Sequence, residues 1–271
     1  MTTANLADAE KPLVGMVHLP ALPGAPEFSG DFEGVRQAAL RDARRLEAGG
    51  VDALMLENFG DAPFYPDDVP KHVVASMTRV AAEIAEEVDL PIGINVLRND
   101  AEAALSVASA VGAEFVRVNV HVGARVTDQG IVEGKAHETV RLREQLNAEA
   151  AIFADLDVKH SAPLADRPLD AEAVAEPIER GLAEGVVVSG AGTGHEVPAD
   201  HLAAVAEARD EAGLDAPVFI GSGVTPENAA DLLEVADGAI VGTALKEGGE
   251  TTNPVSVERV EELVAAADEV R

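Results

Sequence analysis

Short apolar runs rich in Val and Ile recur along this chain between longer amphipathic stretches. Eight such runs stand out: Leu13 to Val17, Ala53 to Leu56, Ile92 to Val96, Phe115 to Val120, Ile152 to Val158, Val186 to Ser189, Val218 to Ile220 and Ala239 to Val241. Continuous apolar runs of this length, without strict alternation, are what parallel strands look like when helices cover their outer faces. The intervening segments carry helical spacing instead, as in Val73, Met77, Val80, Ala81 and Ile84, or Leu202, Val205, Ala206 and Arg209, with acids on the remaining face. Start signals agree: Asp100 precedes AEAALSVA, Asp170 precedes AEAVAEPI, and Thr225 with Pro226 reads as a capped start. Gly49-Gly50, Gly112, Gly185 and Gly213 read as helix stops.

Strict alternation of strand and helix implies parallel pairing by right-handed crossovers. Eight units in about 250 residues predict an α/β fold of the closed (β/α)8 type, a single TIM barrel. An open doubly wound sheet would carry GxGxxG after its first strand, whereas this first strand runs into His18-Leu19-Pro20-Ala21-Leu22-Pro23-Gly24. Residues 1–11 are expected to be a short extension, mobile or plugging the barrel, and residues 12–271 the barrel itself.

Composition narrows the partners. The 271 residues are 47% hydrophobic, enough for one substantial core, and Asp plus Glu outnumber Lys plus Arg by 49 to 20, a net charge of −29. Such a field repels phosphate backbones and anionic lipid surfaces, which argues against nucleic-acid and peripheral-membrane partners. Arginine supplies 15 of the 20 basic residues and lysine 5, and the acids are spread over the whole chain. This is the expectation for a halophilic, acidic protein in a salt-rich cytoplasm, where a short Debye length screens self-repulsion. Cysteine is absent, which excludes disulfides and thiolate chemistry. The opening MTTANLADAEKP has no charged n-region followed by an apolar core, and no run of 18 uncharged apolar residues occurs. A cytoplasmic protein without membrane insertion is expected; a homo-oligomer is compatible with the sequence.

In such a barrel the chemistry belongs at the carboxyl ends of the strands. Polar residues collect there: His18, Glu57 and Asn58, Asn95 and Arg98, Arg117, Asn119 and His121, Asp155, Asp157, Lys159 and His160, Ser189 and Ser222. A period of two places Arg117, Asn119 and His121 on one face of the fourth strand, and Asp155, Asp157 and Lys159 on one face of the fifth. Both rows are predicted to point inward. Asp155, deepest in its strand, also fits a purely structural partner for a neighbouring Arg. Lysine is scarce here, so Lys159 at a strand end reads as chemistry, and a buried Lys changes pKa readily. The catalytic candidates are Asp157, Lys159, Glu57, Asn119 and His18.

Glycine-rich turns supply a second signal. Ser189-Gly-Ala-Gly-Thr-Gly-His follows strand six, Gly221-Ser-Gly-Val-Thr-Pro-Glu strand seven, and Gly242-Thr-Ala-Leu strand eight. Glycine lets a backbone approach an anion closely, and barrels often bind phosphate after strands seven and eight. Gly192, Gly221, Ser222, Gly223, Gly242 and Thr243 are therefore the phosphate-binding candidates; tight connecting turns without a ligand are the alternative.

The residues VGMVHLPALPGAP, LMLENFGDAPF, FVRVNVHVGA and ADLDVKHSAPLADRPL, with VVVSGAGTG and FIGSGVTPENAADLLEVADGAIVGTALK, resemble the BtpA family (BtpA/SgcQ) from Pro12 to about Arg259. The resemblance implies a ribulose-phosphate-binding type of barrel and supplies no reaction. The family takes its name from a role in photosystem I accumulation, while many members resemble phosphosugar isomerases. An anthranilate-sugar isomerase of this fold commonly uses a Cys base on its first strand, and this chain has none, so His18 or Glu57 would have to take its place.

Three readings follow. The leading one is an enzyme acting on a small phosphorylated substrate, a sugar phosphate or nucleotide-derived phosphosugar, by isomerase- or lyase-type proton transfer, with a Schiff base on Lys159 left open. The second is a non-catalytic assembly factor for a membrane complex. The third is a metal-assisted phosphohydrolase using Glu57, Asp157 and a His with Mg2+ or Zn2+; no HxH or HExxH spacing marks a metal site, and no cofactor is required by the sequence.

Overall fold

The structure, a computed structural model, describes Leu6 and residues 9–165, 168–190 and 192–271, with the backbone but not the side chain of Asp157. Eight parallel strands close into a barrel in the order β1-β11-β10-β9-β7-β4-β3-β2. They are β1 (Leu13–His18), β2 (Ala53–Glu57), β3 (Ile92–Asn95), β4 (Phe115–Val118), β7 (Ala151–Asp157), β9 (Gly185–Val188), β10 (Val218–Ile220) and β11 (Gly238–Val241). Each coincides with one of the eight apolar runs. The covering helices are α1 (Phe32–Gly49), α2 (Lys71–Glu87), α3 (Ala101–Val111), α4 (Ala136–Leu146), α5 (Ala171–Ala175), α6 (Ala199–Glu211), α7 (Ala229–Leu233) and α8 (Val257–Ala267). Asp100 caps α3 by accepting from Ala103 N at 2.8 Å, and Asp170 caps α5 by accepting from Ala173 N at 2.9 Å, as their positions predict.

Alternation along each strand divides the apolar residues between two cores. Ile92, Ile94, Val116, Val118, Ile152, Val186, Val188, Val218 and Ile220 face the helices, while Val14, Met16, Met55, Phe115, Phe153, Val187, Phe219 and Ile240 fill the barrel. The interior phenylalanines are seated against glycines on the adjoining strand. Phe115 is paired with Gly93, Phe153 with Gly185 and Phe219 with Gly238, and a Cβ on any of these glycines would lie within 2.6 Å of the facing ring. Gly185 is therefore a strand residue that makes room for Phe153 rather than a helix stop. Phe153 meets Phe115 and Phe219 edge-on at centroid distances of 5.8 and 5.0 Å. Leu6 packs on this cluster, and its amide donates to Glu114 Oε2 at 3.4 Å.

Three features depart from the expectation. A second, antiparallel sheet of order β6-β5-β8 is formed by β5 (Ala124–Thr127), β6 (Gly130–Glu133) and β8 (Ser161–Pro163), inserted after β4 and β7. Its Val132 is buried with Val120 and Val158. The helix after β10 starts later than Thr225: the Asn228 carboxamide accepts from Thr225 N at 2.8 Å, and α7 begins at Ala229. Finally, the register of β7 against β9 shifts between Asp155 and Asp157, so the simple period of two does not continue to the end of that strand. Among the described residues, no helix is long and apolar enough to cross a membrane.

Candidate active site

The inward positions above the phenylalanine layer are polar. On β4 and β7 these are Arg117 and Asp155, joined by Nε to Oδ1 at 2.8 Å and Nη2 to Oδ2 at 2.9 Å, both side chains buried. Asn119 Nδ2 donates to Asp155 Oδ2 at 3.0 Å, Arg117 Nη2 to Ser189 Oγ at 3.3 Å, and Asn95 Nδ2 to the Arg117 carbonyl at 2.9 Å. Asp155 is thus the structural partner of a neighbouring Arg, and Asn119 serves the same carboxylate. His121, predicted inward with them, leaves the row: its Nε2 lies 2.8 Å from the Gly181 carbonyl, because β4 ends at Val118 and the chain turns away.

Above this layer a cavity of about 300 Å3 opens at the carboxyl ends of the strands. His18, Glu57 and Lys159 line it together with Arg117, Phe59 and the turns Gly221 to Thr225 and Gly242 to Ala244. Lys159 follows β7, four strands from β1 in the closed order and so across the barrel from His18. His18 Nε2 stands 3.8 Å from Glu57 Oε1, its ring packs on Phe59 at 4.8 Å, and its Nδ1 is buried. Burial, with the charges of Lys246 and Lys159, holds the His18 pKa well below its ordinary value, so the ring is neutral near pH 7. Burial pushes the Glu57 carboxyl up, against the opposing pull of Arg117 and Lys159. Lys159 is brought down to about 8, first by burial and then by Arg117, with Glu57 and Asp155 acting the other way. A neutral imidazole, a carboxyl held above its ordinary range and an amine brought down to about 8 therefore share one cavity.

Of the catalytic candidates, His18, Glu57 and Lys159 meet in this cavity; Asn119 lies beneath it among the structural hydrogen bonds, and the side chain of Asp157 lies outside the described residues. Of the phosphate candidates, Gly221, Ser222, Gly223, Gly242 and Thr243 line it, whereas Gly192 sits between the rings of His160 and His195. The glycines themselves have packing reasons. A Cβ on Gly221 would lie 2.4 Å from Ser189 Oγ, on Gly223 2.2 Å from Glu196 Cα, and on Gly242 2.7 Å from His18 Cε1. Ser222 Oγ links two loops, accepting from Gly190 N at 2.8 Å and donating to the His195 carbonyl at 3.0 Å. Sequence reasoning placed Arg117 at a strand end without choosing it, and it missed Arg259 altogether. Arg259 reaches the cavity from α8 beside the Gly242 turn, with its Nε donating to the Ala244 carbonyl at 2.7 Å. Nothing in the sequence near residue 259 distinguishes it from a solvated helix charge. Among the described residues, no three His, Cys, Asp or Glu side chains converge as a metal-binding group.

Known proteins agree with this architecture. An uncharacterised protein of Thermococcus kodakarensis is 50% identical over 261 residues, covering 96% of this chain and 97% of its own. The photosystem I biogenesis protein BtpA of Synechocystis is 43% identical over 258 residues, covering 95% of this chain and 88% of its own. The solved structure of N-(5'-phosphoribosyl)anthranilate isomerase from Pyrococcus furiosus superposes with a TM-score of 0.58 at 14% identity, over 96% of this chain and 100% of that one, a likeness of fold. The BtpA family profile matches residues 9–269, and the chain belongs to the BtpA family.

Proposed function

We propose that this protein is an enzyme acting on a small phosphorylated substrate by proton transfer. One observation carries the reading: a chain of net charge −29 brings Arg117, Lys159 and Arg259 to a single cavity that also holds His18 and Glu57, with Glu227 and Glu262 as its other carboxylates. Arg259 and the turns at Gly223 and Gly242 are the phosphate end. Because the glycines are accounted for by packing, the cation and the shape of the turns carry this assignment more than the glycines do. His18, Glu57 and Lys159 form the reacting end, where a proton can be taken up or released. The phosphorylated substrate in the name of the Pyrococcus isomerase is consistent with it.

A thermal-shift screen of phosphorylated metabolites tests the reading. A ligand at 100 times its Kd adds about 2.7 kcal/mol of stability. Stabilisation by a sugar phosphate and not by the free sugar is expected; no response to any phosphorylated compound would overturn the reading.

A second reading, an assembly scaffold, is favoured by the name of the Synechocystis relative and by one surface. Val126, Ile131 and Leu164 on or beside the antiparallel sheet are 42%, 58% and 57% exposed, and Val126 and Ile131 are paired across it. Loss of a bound partner on Ile131→Lys, with ligand binding retained, is the result that would favour the scaffold.

A further inference from the structure

We propose that Lys159 is the nucleophile that captures a carbonyl carbon of the substrate as an iminium, which makes the substrate class a phosphorylated ketose or aldose. The inference rests on the phosphate-binding reading above.

The chain has five lysines, and the other four are placed for other work. Lys11 Nζ donates to the Leu233 and Ala236 carbonyls, Lys135 pairs with Asp67, Lys246 is buried against Asp42 at 3.2 Å, and Lys71 is exposed at the first turn of α2. Lys159 alone among them lines the cavity. Arginine supplies 15 of the 20 basic residues, and among the described residues the other two cations of this cavity are Arg117 and Arg259. A guanidinium serves as well as an ammonium for holding an anion, and better for a bidentate one, but it cannot form an imine.

The surroundings suit that step. Burial first, and then the charges of Arg117 and Arg98 against the opposing pull of Glu57 and Asp155, bring the Lys159 amine down to about 8, and Arg98 donates to the Lys159 backbone carbonyl. Glu57 and His18 occupy the same cavity, and Phe59 covers the imidazole. The free amine pair attacks the carbonyl carbon and forms a C–N bond while the π pair moves to oxygen, which takes a proton from the Glu57 carboxyl. The adduct nitrogen then passes a proton to the Glu57 carboxylate, which returns it to the hydroxyl, and water leaves as the nitrogen pair closes the C=N bond. The net change is carbonyl, free amine and Glu57 carboxylic acid to iminium, water and Glu57 carboxylate. The iminium is an electron sink for removal of the neighbouring C–H proton by the Glu57 carboxylate, the chemistry that an isomerase and a carbon–carbon lyase share.

The full-length protein, incubated in turn with dihydroxyacetone phosphate, ribulose 5-phosphate and ribose 5-phosphate, is treated with sodium borohydride and mapped by peptide mass. The expected result is one secondary-amine adduct, on the Lys159 peptide, lost in Lys159→Arg and Lys159→Met. Dihydroxyacetone should give less adduct by about tenfold or more, equivalent to roughly 1.4 kcal/mol of phosphate binding. The wild-type map needs no variant to fold. An adduct spread over Lys71 and the other lysines overturns the proposal. So does the lack of any adduct with a sugar phosphate that raises Tm, and then phosphate binding stands while the iminium falls. No adduct and no thermal shift with any of the three overturns the iminium proposal, and the phosphate reading is then decided by the wider screen of phosphorylated metabolites.

Discussion

Arg117 and Asp155 are clasped on adjoining strands of the barrel, Nε to Oδ1 at 2.8 Å and Nη2 to Oδ2 at 2.9 Å, and both side chains are buried. A buried pair of this kind stabilises little relative to apolar residues, but removing one partner leaves an uncompensated charge. Asp155→Asn is expected to lower stability by about 3–5 kcal/mol, and Arg117→Met/Asp155→Leu to recover much of that loss. Denaturant unfolding of both variants checks it; a double variant no more stable than the single would show that the pair is not the structural bridge it resembles.

The depressed pKa of Lys159 has a signed consequence for pH. Its folded value is about 8 against an ordinary 10.5, so between those values the unfolded chain binds more protons than the folded one. Stability then rises with pH across that window, and below it the cost of holding the ammonium is fully present. Relative to wild type, Lys159→Met should be more stable at pH 7 and lose that advantage as pH approaches 10.5. Tm profiles of the two proteins that run parallel through the window would refute it.

The two sides of the phosphate end should respond differently to substitution. Gly223 has φ +73°, with the backbone of Glu196 where a Cβ would go. Gly223→Ala should therefore cost more than about 1 kcal/mol of stability, so it is a poor probe of binding. Arg259→Met should leave the fold nearly intact while weakening a sugar phosphate by about tenfold or more, the scale of a lost charged hydrogen bond. Calorimetric titration of the folded variant decides between these; unchanged affinity would remove Arg259 from the site.

With 49 acidic and 20 basic residues the folded chain repels itself at low ionic strength. The Debye length falls from about 10 Å at 0.1 M salt to about 3 Å at 1 M, so Tm should rise steeply over that range of KCl despite weaker surface ion pairs. Equal melting in the two buffers would mean that the charge is balanced locally.

By itself the sequence determined the barrel. Buried parallel strands must be continuously apolar, so β1, β2, β3, β4, β7, β9, β10 and β11 announce themselves, and the helices between them carry a period of 3.6 and side-chain caps. The same alternation brought His18, Glu57 and Lys159 to one mouth, because every barrel strand ends on the same face. The antiparallel sheet was not legible: β5 and β6 are four residues each and largely solvated, too short and too polar for a period to show. Tertiary structure alone decided which charges are consumed by neighbours. Asp155 and Asp157 look alike in ADLDVK, but a register shift between them ends the alternation, and Asp155 is taken by Arg117 from a strand 38 residues away. Arg259 joins the cavity only because closing the barrel lays α8 against the turn after β11, and Lys246 finds Asp42 across 204 residues for the same reason. Periodicity records which face of an element is buried; it carries nothing about which distant group will be waiting there.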